Sequence, residues 1–264
     1  MVYQIYKIKR GKKYARVVFL FAFNVAFMTK LSVNINKLAT LRNARGGNQP
    51  NIVTATQDIE FFGANGITVH PRPDERHIRY QDVRNLKQIV KTEFNIEGNP
   101  IPKFIDLVLE VKPTQVTLVP DADDAITSNA GWDTIKHQEF LKETTTIFKN
   151  QGIRTSIFID PDPKMVAGAS AIGTDRIELY TESFASAFAQ GDLRGIVPYV
   201  KAAEMATTVG VGVNAGHDLN LENIKYFKRH IPNLLEVSIG HALICESIYL
   251  GLENVVNMYL NRLV

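Results

Sequence analysis

Residues 155–180 read TSIFIDPDPKMVAGASAIGTDRIELY, and this stretch contains one complete repeat of the pattern that decides the fold. Thr155–Ile159 is a short run of β-branched and apolar residues that predicts a buried strand. A segment of helical length follows it, and a second run, Arg176–Tyr180, predicts another strand. Two strands joined by a helix indicate parallel neighbours, because a parallel pair needs a crossover connection.

The same alternation of strand and helix recurs from residue 31 to the C-terminus. Eight runs predict strands: Leu31–Ile35, Gly66–His70, Phe94–Glu97, Gln115–Val119, Thr155–Ile159, Arg176–Tyr180, Gly210–Val213 and Leu235–Ile239. Helix-length segments include Gln81–Thr92, Ile101–Lys112, Thr134–Gln151, Leu193–Val209, Asn220–His230 and Ala242–Leu263. Eight such units favour an α/β fold, a (β/α)8 TIM barrel of eight parallel strands, over an open doubly wound sheet. No glycine-rich dinucleotide fingerprint follows the first strand, which weakens the Rossmann alternative.

The composition fits one globular domain. The chain has 264 residues, of which 45% are hydrophobic and 22% charged, and TIM barrels commonly fill about 250 residues as a single unit. Residues 29–264 contain no linker and no low-complexity tract, so we expect one (β/α)8 catalytic domain there. The single cysteine, Cys245, excludes an intrachain disulfide. A reducing compartment, and hence a cytoplasmic location, is the natural expectation.

Residues 1–28 form a short N-terminal extension with a composition of its own. They hold six basic side chains and no acidic one, and the apolar run Val17–Phe23 follows the basic part. Three interpretations stay open: an upstream extension of the reading frame before a start at Met28, a segment packed on the barrel, or a targeting signal. The apolar run is too short for a confident membrane span. Because this extension supplies the net charge of +3, we predict no binding of nucleic acid or of a membrane.

Polar and titratable residues follow nearly every predicted strand. The carboxyl ends of barrel strands form the mouth that holds the active site, so these residues should converge. They are Asn34, Asn36, His70, Arg72, Glu97, Thr127, Asp160, Glu178, Thr181, Asn214, His217, Gly240 and His241. Any one of them could be structural, but two histidines and a carboxylate in one mouth supply general acids and bases near neutral pH.

Groups that attract anions lie on two sides of the predicted mouth. Gly240–His241 opens the last helix, and backbone amides at a helix N-terminus bind phosphate. Arg45, Arg72 and His77 could hold a second anion, which predicts two anionic substrates or two anionic ends of one substrate. The histidines and the cysteine show no zinc spacing, and no lysine ends an inner strand to form a Schiff base. Lys37 is the nearest lysine, and we interpret it as a binding or rim residue.

Several motifs carry a resemblance to a known family, and they occur in the family's order from about Leu31 to the C-terminus. They are VNI (33–35), ATLRNARG (39–46), GITVH (66–70), Arg72, Asp74, RHI (76–78), LVP (118–120), FID (158–160), VNAGH (213–217) and IGHA (239–242). The run ATLRNARG and the two histidine motifs are highly specific when they occur together. On these residues, the sequence resembles the pyridoxine 5′-phosphate synthase family.

The resemblance implies a fold, a reaction and an assembly. Such enzymes are (β/α)8 barrels that condense 1-deoxy-D-xylulose 5-phosphate with 3-amino-2-oxopropyl phosphate, in a ring-forming reaction of the transferase class. The products are pyridoxine 5′-phosphate, phosphate and water, and neither a cofactor nor a metal is required. Two small phosphorylated substrates are therefore the expected partners, and the family assembles as a homo-octamer built from dimers.

The resemblance also implies a role for each matching residue. His70 would be the general base, Glu97 a second proton-transferring group, and His217 the acid that assists the departure of phosphate. The residues that would hold the aminoacetone phosphate are Asn34, Arg45, Gly240 and His241. Those that would hold the deoxyxylulose phosphate are Arg72, His77 and Thr127.

The chain departs from the family pattern in two places. Asn36–Lys37 stands where many members have Asp-His in contact with the sugar phosphate; asparagine keeps hydrogen-bonding capacity, and lysine could meet an anion. Asp218 follows His217, where glycine would be usual, and we count it with the substrate-binding residues. A carboxylate near a phosphate is unfavourable unless it points away. Neither departure falls on the three proton-transfer residues, so we expect the activity to be kept.

Two other functions stay open. A different phosphosugar-binding TIM barrel, an isomerase or an aldolase, would share the fold and the anion site but would not explain residues 39–46. A catalytically silent phosphate-binding barrel is conceivable because of Asn36, Lys37 and Asp218. The long polar connection Pro120–Asp133 predicts a loop over the site that could act as a lid.

Overall fold

A computed structural model describes residues 28–121 and 130–264. The predictions for residues 1–27 and for Thr127 therefore lie outside the described residues. From Lys30 onward, the chain alternates strands with helices and ends on a helix that reaches Leu263. None of the helices in this described part has the length and apolar character needed to cross a membrane.

Eight parallel strands close into a barrel in chain order. Each strand pairs with the next, and β8 returns to β1, where Lys30 lies opposite Glu236 and Val33 opposite Ile239. The strands are β1 Lys30–Asn34, β2 Gly66–Val69, β3 Glu93–Gly98, β4 Gln115–Leu118, β5 Arg154–Ile159, β6 Arg176–Tyr180, β7 Gly212–Gly216 and β8 Leu234–Ile239. The predicted (β/α)8 TIM barrel is confirmed.

Helices connect the strands and surround the barrel. They are α1 Asn36–Asn43, α2 Ile52–Phe61, α3 Tyr80–Lys87, α4 Pro102–Val111, α5 Gln138–Asn150, α6 Pro163–Ile172, α7 Glu182–Ala189, α8 Val197–Val209, α9 Ile224–His230, α10 His241–Leu250 and α11 Leu252–Leu263. A 3₁₀ turn, Leu193–Ile196, precedes α8. Prolines start α4 and α6, where the missing N–H group would have no helical partner. The Asp162 side chain caps α6 by accepting a hydrogen bond from the Lys164 N–H.

Several predicted boundaries differ from the structure by a few residues, and glycine explains two of the differences. The seventh strand was expected at Gly210–Val213, but it runs from Gly212 to Gly216. Gly210 instead ends α8 in the left-handed conformation, with φ of 75°. The final segment was expected to be one helix, but Gly251, with φ of 82° and ψ of 142°, separates α10 from α11.

The apolar core is a ring between the strands and the helices. Strand residues such as Val33, Ile67 and Ile96 are fully buried, and each such side chain contributes roughly 1.5–3 kcal/mol by leaving water. Because neighbouring strand residues point to opposite faces, the intervening side chains point into the barrel. These buried inner residues are polar: Ser32, Thr68, Asn95, Thr117, Ser156, Glu178, Asn214, Glu236 and Ser238. The barrel therefore carries polar groups along its interior up to the mouth.

Charged residues at the starts of the strands close the opposite end of the barrel. Glu93 at the start of β3 pairs with Lys30 of β1 and with Arg154 of β5. Arg176 at the start of β6 lies 3.5 Å from Glu236 of β8. These ion pairs contribute to the stability of the barrel and not to its chemistry, since barrel active sites lie at the carboxyl ends of the strands.

Candidate active site

The three predicted proton-transfer residues lie at the carboxyl ends of their strands. His70 directly follows β2, Glu97 is the penultimate residue of β3, and His217 directly follows β7. His70 is almost fully buried, with 6% of its surface exposed. The positive charge of His217 influences both His70 and Glu97, which places the three groups in one electrostatic neighbourhood.

Glu97 is held by side chains from two other strands. Asn34 Nδ2 of β1 donates to Glu97 Oε2 at 3.4 Å, and Ser238 Oγ of β8 donates to Oε1 at 3.5 Å. Burial raises the pKa of Glu97 to about 7; the negative charges of Asp121 and Glu236 add to this rise, while His217 and the Ser238 hydrogen bond oppose it. At neutral pH the carboxyl group can therefore both accept and donate a proton.

His70 is kept neutral by its surroundings. Burial lowers the pKa of its imidazole well below the usual value, and the positive charges of Arg72, His77, His217 and Arg76 lower it further. Its Nε2 lies 3.8 Å from Asp121 Oδ2, the oxygen to which Arg72 also donates a hydrogen bond. A neutral imidazole has a lone pair available, so the site presents His70 as a base.

Asn36, one of the residues that depart from the family pattern, makes a structural contact that the sequence did not predict. Its side-chain Oδ1 accepts a hydrogen bond from the His70 backbone N–H at 3.0 Å. The Asn36 backbone N–H in turn donates to Asn34 Oδ1 at 3.1 Å. Asn36 thus links the end of β1 to the end of β2 and helps to fix the position of His70.

His217 has the opposite electrostatic surroundings to His70. Burial lowers the pKa of its imidazole, but the hydrogen bond and charge of Asp218, with the charges of Glu97 and Asp121, outweigh burial and raise that pKa overall. Its Nδ1 lies 2.8 Å from Asp218 Oδ2. The ring packs edge to face against Tyr180, with ring centroids 5.4 Å apart. His217 is therefore suited to donate a proton.

A second imidazole lies beside His70. The His77 ring centroid is 6.3 Å from that of His70. Burial and the charges of Arg72, Lys37 and Arg76 lower the pKa of His77 to about 4. The Ile78 N–H donates to His77 Nδ1 at 2.9 Å, so the neutral ring carries its proton on Nε2. This arrangement offers donors to an anion.

Helix α1 holds the His77 loop in place. Arg42 NH2 and Asn43 Nδ2 both donate to the His77 carbonyl oxygen, at 3.0 Å and 2.9 Å. Arg42 also makes a two-point contact with the Asp82 carboxylate, at 2.6 Å and 2.8 Å. These contacts give a structural reason for Arg42–Asn43 in the ATLRNARG motif.

The N-terminus of α10 is the second predicted anion site. Gly240 is the cap residue, and His241 is the first residue of the helix. A Cβ atom on Gly240 would lie 3.1 Å from Asn34 Cβ and 3.3 Å from Asn34 Cγ. Glycine therefore allows Asn34 to lie directly against the start of the helix, where backbone N–H groups can bind a phosphate.

Comparison with known proteins identifies the family. Residues 31–264 match the profile of the family described as pyridoxal phosphate biosynthesis protein PdxJ. The chain belongs to the PdxJ family. It is 69% identical over 236 residues to the pyridoxine 5′-phosphate synthase of Flavobacterium johnsoniae, a match that covers 89% of this chain and 100% of that protein. It is 65% identical to the enzyme of the same name from Christiangramia forsetii, with the same coverage.

Solved structures agree with the barrel. The thiamine phosphate pyrophosphorylase of Pyrococcus furiosus matches this PdxJ family member with a TM-score of 0.58 at 14% identity. The match covers 91% of this chain and 98% of that one. At this identity, the likeness shows the fold alone.

The structure brings most of the residues predicted for the PdxJ family site into one region, but three of them are exposed. Arg45 lies on the turn after α1, Lys37 lies in the first turn of α1, and His241 begins α10. Within the described residues, no group of three His, Cys, Asp or Glu side chains could hold a metal ion.

Two carboxyl groups of the site received no role from the sequence. Asp121 follows β4, and its contacts with His70 and Arg72 are hidden from sequence because it opens a long polar loop. Glu178 interrupts the apolar strand RIELY, and burial with the charges of Glu97 and Glu236 raises its pKa well above the usual value. A Cβ atom on Gly216 would lie 2.7 Å from Glu178 Oε1, so glycine at this position leaves room for the Glu178 carboxyl group.

Proposed function

We propose that the chain is a pyridoxine 5′-phosphate synthase. The proposed reaction condenses 1-deoxy-D-xylulose 5-phosphate with 3-amino-2-oxopropyl phosphate to give pyridoxine 5′-phosphate, phosphate and water. The observation that carries the proposal is the 69% identity to a protein of that name over its whole length. The mouth of the barrel supplies groups that suit this chemistry.

The chemistry requires proton transfers and no protein nucleophile. The amine of one substrate attacks the ketone of the other, and loss of the ketone oxygen as water needs a proton donor. Removal of protons from carbon during ring closure needs a base, and departure of phosphate needs an acid. Neutral His70, Glu97 with a pKa of about 7, and His217 with its raised pKa supply a base, a two-way group and an acid.

The two phosphates have separate places in this proposal. The amino substrate's phosphate would lie at the Gly240–His241 end of α10, with Asn34 and Arg45. The sugar phosphate would lie beside Arg72 and His77, with Asn36, Lys37 and Thr127 around it. His77 Nε2–H is available as a donor because Nδ1 already accepts from the Ile78 N–H.

An assay of the purified full chain with both substrates tests the proposal. Pyridoxine 5′-phosphate and phosphate should form together without an added metal or cofactor, and neither should form when one substrate is omitted. The variants His70→Asn and Glu97→Gln should lower kcat by about 10²–10⁴-fold, as expected for the loss of a positioned acid or base.

Circular dichroism of each variant separates loss of chemistry from loss of fold. A folded wild-type protein that forms no product would refute the proposal. Binding of both substrates without turnover would favour the silent phosphate-binding barrel, and turnover of one phosphosugar alone would favour an isomerase or aldolase.

A further inference from the structure

The backbone at the end of β7 takes an unusual conformation. His217 has φ of 84°, in the left-handed region that residues with a side chain rarely adopt. The following residue is fixed from two sides: the Asp218 N–H donates to Thr181 Oγ1 at 3.2 Å, and Asn223 Nδ2 donates to the Asp218 carbonyl at 3.4 Å. Thr181 is fully buried and donates to the Gly216 carbonyl. A strained conformation that the surroundings hold this firmly indicates a functional constraint.

This turn brings two adjacent side chains together. In an extended strand, neighbouring side chains point to opposite faces, so residues 217 and 218 could not pair there. In the turn, Asp218 Oδ2 lies 2.8 Å from His217 Nδ1. A carboxylate can only accept a hydrogen bond, so Nδ1 carries the proton of this contact.

The contact is difficult to reconcile with Asp218 as a ligand for phosphate. A carboxylate repels a phosphate, and the oxygen in question already contacts His217. The side chains of both residues are about equally exposed, at 29% and 30%, so the pair lies at the surface of the mouth. Asp218 therefore acts on the substrates through the imidazole.

The other groups that face His217 are consistent with a cationic ring. Glu97 of β3 and Asp121 after β4 contribute negative charge, and Tyr180 of β6 packs on the ring. His70, after β2, is the neighbour of His217 that could carry a competing positive charge, but its pKa lies well below the usual value. Burial lowers the pKa of His217, and Asp218 is the group whose hydrogen bond and charge do most to reverse that effect.

We propose that Asp218 is a positioning residue that fixes the His217 ring through Nδ1 and keeps Nε2 protonated as the proton donor of the site. The proposal rests on the proposed function, in which His217 assists the departure of phosphate. Asp218 then joins His70, Glu97 and His217 as a fourth member of the acid-base machinery. The proton that leaves Nε2 for the departing phosphate returns from solvent or from a neighbouring acid, while the Nδ1 proton stays with the Asp218 contact.

The variant Asp218→Asn keeps the shape of the side chain and removes its charge. The pKa of the His217 imidazole, followed by NMR in the full chain, should fall, because the hydrogen bond and charge of Asp218 raise it. The alkaline limb of the kcat profile should move to lower pH by the same amount, because activity is lost as His217 deprotonates. KM for both substrates should change little.

Further variants and controls make the test decisive. Asp218→Glu retains the charge and should restore most of the pKa of His217. Glu222→Gln removes an exposed charge from the same loop and should leave both the pKa and the kcat profile unchanged. If Asp218→Asn raises KM alone, Asp218 is a substrate ligand and the proposal is overturned. An unchanged pKa of His217 in Asp218→Asn overturns it as well.

The NMR titration does not depend on turnover, so the two proposals can fail separately. A folded wild-type protein without synthase activity, in which Asp218→Asn still lowers the pKa of His217, would refute the proposed function and retain the pair. An active wild-type protein in which the variant leaves that pKa unchanged would refute the role of Asp218 alone.

Discussion

At the scale of single residues, the site differs from an ordinary protein surface in its protonation states. His70 has a lowered pKa and His217 a raised one, although the two residues have the same side chain. Burial lowers the pKa of both rings. Arg72 and other cations lower that of His70 further, whereas the hydrogen bond and charge of Asp218 outweigh burial at His217. Such opposed shifts at one mouth are typical of an acid and a base with separate tasks.

The raised pKa of Glu97 has a consequence for stability. The pKa of its side chain is about 7 in the folded protein and near 4.5 when the residue is unperturbed. The folded state therefore loses stability as pH rises from about 4.5 to 7, because the buried carboxyl group must ionise. The variant Glu97→Gln removes this cost and should be roughly 1–3 kcal/mol more stable than wild type above pH 7.

Denaturant unfolding at pH 4.5 and pH 8 measures this effect. The difference in the free energy of unfolding between Glu97→Gln and wild type should be near zero at pH 4.5 and largest at pH 8. Glu143→Gln, an exposed change on α5, is the control and should show no such pH dependence. A stability difference that is the same at both pH values would contradict the raised pKa.

The sequence predicted which residues reach the mouth but not how they titrate. His70, Glu97 and His217 could be found because the strand pattern places each at a carboxyl end. Their protonation states depend on burial and on neighbours from distant strands, such as Ser238, which lies 141 positions from Glu97. Asp121 was missed for the same reason, since its partner Arg72 lies on the loop after β2.

At the scale of elements, glycines decide how closely the pieces of the site approach one another. Gly240 lets β1 and α10 meet at Asn34. The variant Gly240→Ala would place a methyl group 3.1 Å from Asn34 Cβ and move Asn34, which contacts Glu97, by a few tenths of an ångström. Because Asn34 and the start of α10 also form the proposed phosphate site, where small misplacements weaken substrate positioning, we expect kcat/KM to fall by about 10-fold.

Steady-state kinetics with the amino substrate as the varied substrate checks this prediction. Most of the loss should appear in KM for that substrate, because the change is at its phosphate site. Gly47→Ala serves as the matched control, since an added Cβ there meets no atom within 4 Å. Wild-type kinetics in Gly240→Ala would show that Asn34 has room to adjust and that the close approach is not needed.

The alternation of strands and helices predicts all eight strands, but it does not always predict the residue at which a strand or helix ends. Gly210 was assigned to the seventh strand because Gly-Val-Gly-Val has the apolar pattern of a strand, but it is the left-handed end of α8. The sequence predicts one final helix that continues across Gly251, because a single glycine is tolerated in helices. In both cases the backbone conformation of glycine, which sequence pattern does not reveal, set the boundary.

At the scale of the whole molecule, the barrel leaves large apolar side chains in contact with water. Phe61, Ile248 and Tyr249 are 85%, 69% and 88% exposed in the single chain. The resemblance to the synthase family predicted a homo-octamer, and we retain that assembly as a proposal. The alternation of strands and helices specifies how one chain folds, but it does not specify which exposed surfaces meet.

Light scattering coupled to size exclusion tests the assembly. The full chain has a mass of 29.6 kDa, and we expect a species of eight times that mass at micromolar concentration. Association is expected because covering exposed apolar surface contributes about 25 cal/mol for each Å² removed from water. If the assembly is the proposed octamer built from dimers, dimers should appear before single chains on dilution, and the thermal midpoint should fall as the assembly dissociates. A mass of one chain at every concentration would refute the octamer and leave the barrel to function alone.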